Sequence, residues 1–190
     1  LDRDTVWRAL AERRDGAIVT NWRNRVKSVS FPADPWSLRL DSSTEPDGES
    51  LHTRVRALFP VRDGFRLRMH RRSILSPLGD WLGRRRVQVS HPEIEAQWIV
   101  KSSSEGRAQS LLMLPAVVDG VRAIRTGTVS VERYRNRRAQ PGTHAVTIAM
   151  AGMVKDPARL EGALDLCTAI LEQLVRMGCA NRQRVQAGQP

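Results

Sequence analysis

Arg54-Val55-Arg56-Ala57-Leu58-Phe59 and Phe65-Arg66-Leu67-Arg68-Met69-His70 alternate basic and apolar side chains with a period of two. That period belongs to a half-buried β-strand, in which successive side chains point to opposite faces. The link Pro60-Val61-Arg62-Asp63-Gly64 is short and turn-like, so the two runs are expected to pair as a hairpin. Pairing Phe59 with Phe65 sets Ala57 opposite Leu67 and Val55 opposite Met69 on one face. It sets Arg56 opposite Arg68 and Arg54 opposite His70 on the other. Like charges directly opposite are unfavourable in a sheet, so acidic neighbours or an anionic partner are expected over that face.

Working outward toward the N-terminus, Asp4 is expected to cap a first helix reaching Arg13, with Val6, Trp7, Leu10 and Ala11 inward. Asp15-Gly16 stops it. Strand-like runs follow over Ala17–Asn21, Val26–Phe31 and Trp36–Leu40, and Asp41 to Ser50 is an acidic, turn-rich loop that offers counter-charge to the basic strands. Beyond the hairpin, Ser76-Pro77 predicts a short helix ending at Gly83. Ile94, Ala96, Trp98 and Val100 alternate as a strand. Ser102-Ser103-Ser104-Glu105 has capping-box spacing ahead of a helix that runs to Leu114 and stops at Pro115. Val129 and Val131 mark a strand, with Val146, Ile148 and Met150 as its hairpin partner. Asp156-Pro157 opens a long helix with Leu160, Ala163, Leu164, Cys167, Ile170, Leu171 and Leu174 at three- and four-residue steps. The expected fold is α+β: a mainly antiparallel sheet of hairpin-connected strands covered by helices, the C-terminal helix long. It is expected as a single domain over 1–180, with a two-lobe organisation divided near 86 as a variant, and a disordered tail over 181–190.

The chain has 190 residues and a formal net charge of +11. Such an excess suits an anionic partner: nucleic acid, an acidic protein or an anionic lipid surface. Lys stands only at positions 27, 101 and 155, so the excess is almost all Arg, which a GC-rich genome produces without selection for binding. The basic residues cluster as Arg23/Arg25/Lys27, the hairpin with Arg71-Arg72, Arg84-Arg85-Arg86, and Arg133/Arg135/Arg137/Arg138 at a hairpin tip, where a loop can probe phosphates. Trp22, between Asn21 and Arg23, is the one tryptophan outside an apolar register. Exposed, it suits base stacking or a lipid interface; packing beneath Arg stems is the commoner arrangement.

Catalytic chemistry has little support. The histidines His52, His70, His91 and His144 are scattered, and no HExxH, GxSxG, phosphate-loop or dinucleotide motif occurs. Glu93 and Glu95 share a strand face in this reading, better explained as a solvated face than as an acid–base pair. Cys167 and Cys179, in or at the end of one helix, are separated by about 18 Å of helical rise, so they are expected as reduced thiols. No apolar run approaches the ~20 residues of a membrane span, and no metal or cofactor is expected. His70, beside Arg66 and Arg68, is expected to strengthen an anion site below about pH 6.5.

From Leu67 to Leu174 the chain resembles a family of uncharacterised bacterial proteins in which membrane spans often precede an α+β domain. The resemblance is carried by Leu67-Arg68-Met69-His70-Arg71, Leu82-Gly83, the run from His91 to Ser102 (HPEIEAQWIVKS), Ala108-Gln109-Ser110-Leu111-Leu112 and the helix from Asp156. The chain departs mildly from that pattern at Ile94 and Trp98. The resemblance implies a cytoplasmic domain, tethered through a segment ahead of Leu1, with no catalytic residues to transfer. The reading that follows is a non-enzymatic binding module whose basic sheet face, Arg39, Arg54, Arg56, Arg66, Arg68 and His70, meets an anionic partner. Its alternative is a cytoplasmic interaction domain of a membrane-anchored bacterial protein with a protein partner and no role with nucleic acid; an enzyme with an unfamiliar site is the third reading.

Overall fold

The computed structural model describes residues 2–44, 51–72, 85–136 and 139–183. In chain order its elements are α1 (Arg3–Arg13), β1 (Ala17–Thr20), β2 (Val26–Ala33), β3 (Trp36–Thr44), β4 (Leu51–Pro60), β5 (Leu67–Arg71), β6 (Arg85–Arg86), α2 (Pro92–Gln97), β7 (Trp98–Ser102), α3 (Glu105–Leu112), α4 (Pro115–Ile124), β8 (Thr128–Arg133), β9 (Thr143–Ala151) and α5 (Pro157–Arg176). The fold is α+β, as the alternation of the strands and the long closing helix imply. Among the described residues, nine strands form one sheet in the order β1-β2-β3-β4-β9-β8-β5-β7-β6, and all its pairings are antiparallel.

The expected hairpin between β4 and β5 does not form. Both runs are strands, but β9 and β8 lie between them. Val55 pairs with Ile148 and Ala57 with Val146 on β9, while Met69 pairs with Val129 and Leu67 with Val131 on β8. The β8–β9 ribbon, apolar along one side, buries more by entering the middle of the sheet than at its edge. Strands from before and after residue 86 therefore alternate within one sheet.

One sheet face is covered. Val55, Ala57, Phe59, Leu67, Met69, Val129, Val131, Val146 and Ile148 are buried in a continuous core with Trp7, Leu10, Leu164, Cys167, Ile170 and Leu171 from the helices. The long α5 lies on β4 and β9, α1 lies on β2, and α3 and α4 pack against α5. Asp156 caps α5, accepting from the amides of Ala158 and Arg159. The helices α4 and α5 cross closely because each offers a glycine: a Cβ on Gly162 would stand 2.4 Å from Ala123 Cβ, and one on Gly120 would stand 2.6 Å from Leu166 Cβ.

Several local expectations are corrected. Asp2, not Asp4, caps α1; Asp4 accepts instead from the Val26 amide and the Arg3 guanidinium. The segment Pro92–Gln97 is helical, not extended. Proline stands in its first turn, and the Glu93 carboxylate is gripped by Arg122 of α4 at 2.8 Å, so Glu93 and Glu95 are not partners on a strand. The Ser102–Glu105 capping box is not made. Ser104 occupies the cap without a side-chain hydrogen bond, and the Ser102 hydroxyl is spent on the Arg66 carbonyl. Pro115 both ends α3 and opens α4. Asp41 to Thr44 belongs to β3, not to a loop; residues 45–50, the helix expected over 76–83, Trp81 and 184–190 lie outside the described residues. In the tail, the Asn181 amide donates to the Pro60 carbonyl. Cys167 and Cys179 are free and buried. Burial raises both thiols, Cys179 to about 11.

Candidate functional site

Alternation and register together place the basic residues. In antiparallel pairs, directly opposite residues share a face. On the face opposite the core one row crosses the sheet: Ser30 on β2, Arg39 on β3, Arg56 on β4, Thr147 on β9, Ser130 on β8, Arg68 on β5, Lys101 on β7 and Arg86 on β6. The adjacent row carries Asp41, Arg54, Ala149, Thr128 and His70. Arg56 and Arg68 thus share a row, as do Arg54 and His70. Two strands separate the members of each pair, three strand spacings or about 14 Å, and they do not face each other as the hairpin reading had them.

The β3–β4 side of this face is internally neutralised in part. Asp41, whose side chain is only 10% exposed, accepts from Arg54 Nε at 2.9 Å and Nη2 at 3.1 Å. Its Oδ2 lies 3.4 Å from Arg39 Nε and 3.7 Å from Arg56 Nη2. One carboxylate thus serves three guanidiniums, two of them directly opposite on neighbouring strands. This is the acidic neighbour that like-charge pairing demanded, supplied by the first residue of the segment read as an acidic loop. Arg56 also lies over the Tyr134 ring, 4.9 Å from its centroid. Burial first, and then the Arg54 charge, lowers the pKa of Arg56 from the ordinary arginine value.

The β5–β7 side adds Lys101 and Arg86, which the sequence reading left out of the site; the alternation of Trp98 and Val100 inward against Lys101 outward carried that signal. His70 lies between Thr128 and Ile99. Burial, followed by the charges of Arg68 and Lys101, holds it below the usual histidine range. It is therefore neutral through a lower pH than the sequence implied, and any acid strengthening of the site sets in below pH 6.5. Arg66 stands just ahead of β5, its amide donating to Ser103 Oγ at 2.9 Å, so it belongs to the end of the sheet and not to the rows.

Between the two basic flanks, β9 and β8 present Ala149, Thr147, Thr128 and Ser130. These short side chains form a floor between the longer basic side chains. Elsewhere, Trp22 is 85% exposed, at the turn joining β1 to β2, and the Arg23 guanidinium lies over its ring, 4.3 Å from the centroid. Trp7, Trp36 and Trp98 are core residues. Among the described residues, no group of three or more His, Cys, Asp or Glu side chains is placed to hold a metal ion, and no helix is long and apolar enough to cross a membrane.

No protein-family model matches the chain, and no curated protein matches it. Among solved structures the fold is similar to the crystal structure of the mycobacterial trehalose monomycolate transport factor A, TtfA, with a TM-score of 0.58 and 9% sequence identity over 90% of this chain and 94% of that one. At that identity the likeness is one of fold.

Proposed function

We propose that this chain is a non-enzymatic binding module whose basic sheet face, opposite the core, engages an anionic partner. The observation that carries the reading is the single row Arg39, Arg56, Arg68, Lys101 and Arg86, drawn from five strands onto one face. The row spans six strand spacings, about 29 Å. That is long enough for a polyanion to meet both flanks at once, with Thr147 and Ser130 hydroxyls between them as neutral donors. Guanidinium groups suit phosphate and carboxylate oxygens through paired N–H donors, and Asp41 favours multivalent anions by leaving the flank only partly neutral. Nucleic acid is the polyanion tested first.

Fluorescence anisotropy with labelled single- and double-stranded DNA and RNA across a salt series tests this. Binding is expected to weaken steeply with added salt and to disappear in an Arg56→Glu/Arg68→Glu variant that retains the wild-type unfolding midpoint. Absence of binding at low salt overturns the nucleic-acid reading.

The second reading is a cytoplasmic interaction domain of a membrane-anchored bacterial protein. The tether rests on the resemblance carried by the His91–Ser102 run, and the fold likeness to a transport factor over nearly the whole chain suits an interaction module without bearing on the tether. Fractionation of cells making the complete gene product distinguishes the two: retention in membranes after an alkaline wash supports a tether, and full release removes it.

A further inference from the structure

The end of the sheet where β8 turns into β9 holds an open cleft of about 620 Å³. Three cationic side chains line it: Arg66 ahead of β5, Arg133 at the last position of β8, and Arg135 in the β8–β9 link. Among the described residues, no acidic side chain lines it. Among the described residues none of these three guanidiniums has an ion-pair partner, in contrast to the Asp41-bound arginines of the sheet face. Tyr134 stands between them and is fixed from three sides. Its amide donates to the Thr143 carbonyl at 3.0 Å, Arg56 covers its ring, and its hydroxyl accepts from Asn136 Nδ2 at 3.3 Å.

Converging like charges without a counter-charge cost stability, which a bound anion offsets. The cleft lies in the size range of small-molecule sites, about 300–1,000 Å³. It exceeds the needs of a bare phosphate, and Ala139 and Pro141 add apolar wall.

We propose that this cleft binds the phosphate group of an organic phosphate, with Arg66, Arg133 and Arg135 donating to its oxygens and Tyr134 beside its organic portion. The site goes beyond the sheet-face reading, because it draws on the sheet end and does not use Arg39 or Lys101. The phosphate is carried either by a soluble metabolite or by a lipid headgroup, so two probes are used. Glycerol 3-phosphate is titrated by calorimetry, and mixed phosphatidylcholine–phosphatidic acid vesicles are tested by co-sedimentation against phosphatidylcholine alone.

Saturable binding of glycerol 3-phosphate is expected for a soluble ligand, and binding to the vesicles alone assigns a headgroup; either supports the site. Arg133→Ala/Arg135→Ala should weaken binding about 10- to 100-fold. Arg66→Lys, which keeps the charge but loses the forked donors, should weaken it less, and Arg39→Ala/Lys101→Ala should leave it within about twofold. Two results overturn the proposal: no saturable binding of either probe, or equal loss in the cleft and sheet-face variants, which would reduce it to diffuse charge. A failure of nucleic-acid binding leaves the calorimetric result standing, so the two readings fail separately.

Discussion

The two faces of this sheet are built from the same strands, one residue out of phase, and they obey different physics. On the helix side, Val55, Ala57 and Phe59 are buried almost completely, and cohesion comes from apolar area removed from water. On the other side, Arg54 and Arg56 keep side-chain exposures of 25% and 18%, and order comes from one shared carboxylate and a stacked tyrosine. The first face tolerates no gap. Among the described residues, the second sets three guanidiniums around the single Asp41 carboxylate.

The largest expected effect breaks the comparison directly. Phe59→Ala should cost about 3–5 kcal/mol in urea unfolding, the range for a fully buried aromatic. Leu58→Ala, one residue away on the other face, should cost about 1 kcal/mol, since Leu58 is only partly buried. Equal losses would mean that the second face is as closely packed as the first. Next comes Gly162→Val, which drives a branched side chain into Ala123 where α4 and α5 cross. A loss of about 1–3 kcal/mol is expected, with sheet-face anion binding unchanged.

Asp41→Asn sharpens the electrostatic side of the contrast. Loss of the shared carboxylate should lower stability by about 1 kcal/mol. The same change should raise affinity for a polyanion at low salt, because three guanidiniums lose their internal acceptor. Stability and binding moving in the same direction would remove Asp41 from its proposed role.

The smallest effect is a pH dependence. His70 is held below its ordinary value by burial and by Arg68 and Lys101; burial and Arg66 act likewise on His144. On acidification the unfolded chain takes up these protons first, so stability is full above about pH 6.5 and declines as pH falls toward the depressed folded values. His70→Gln should flatten that part of the curve, measured by unfolding midpoints across the window. An unaltered slope would assign the dependence to His144.

Much of the fold was legible because it is local. The α5 helix combines a cap at Asp156, proline in its first turn and apolar residues at helical spacing over about four turns, so no alternative buries the same side chains. The β4 and β5 runs were legible as strands for a similar reason. Where the signal was short, it misled. Ile94, Ala96, Trp98 and Val100 alternate, but the first two lie in a six-residue helix that is held by proline at its start and by Arg122 reaching from α4. The membership of Arg39, Arg54, Arg56, Arg68 and His70 in one basic face followed from alternation alone. Alternation likewise turned Lys101 away from Trp98 and Val100, but Tyr134 lies beyond the end of β8 and meets Arg56 only through the sheet.

The sequence by itself determined the long strands, α1 and α5, and which side of each long strand is basic, since side-chain periodicity is a property of neighbours along the chain. Tertiary structure alone decided which strands meet. Burying the apolar side of the β8–β9 ribbon on both edges requires a place inside the sheet, and that requirement separates β4 from β5. It turns an expected pair of facing arginines into two basic flanks about 14 Å apart, with a floor of small side chains between them.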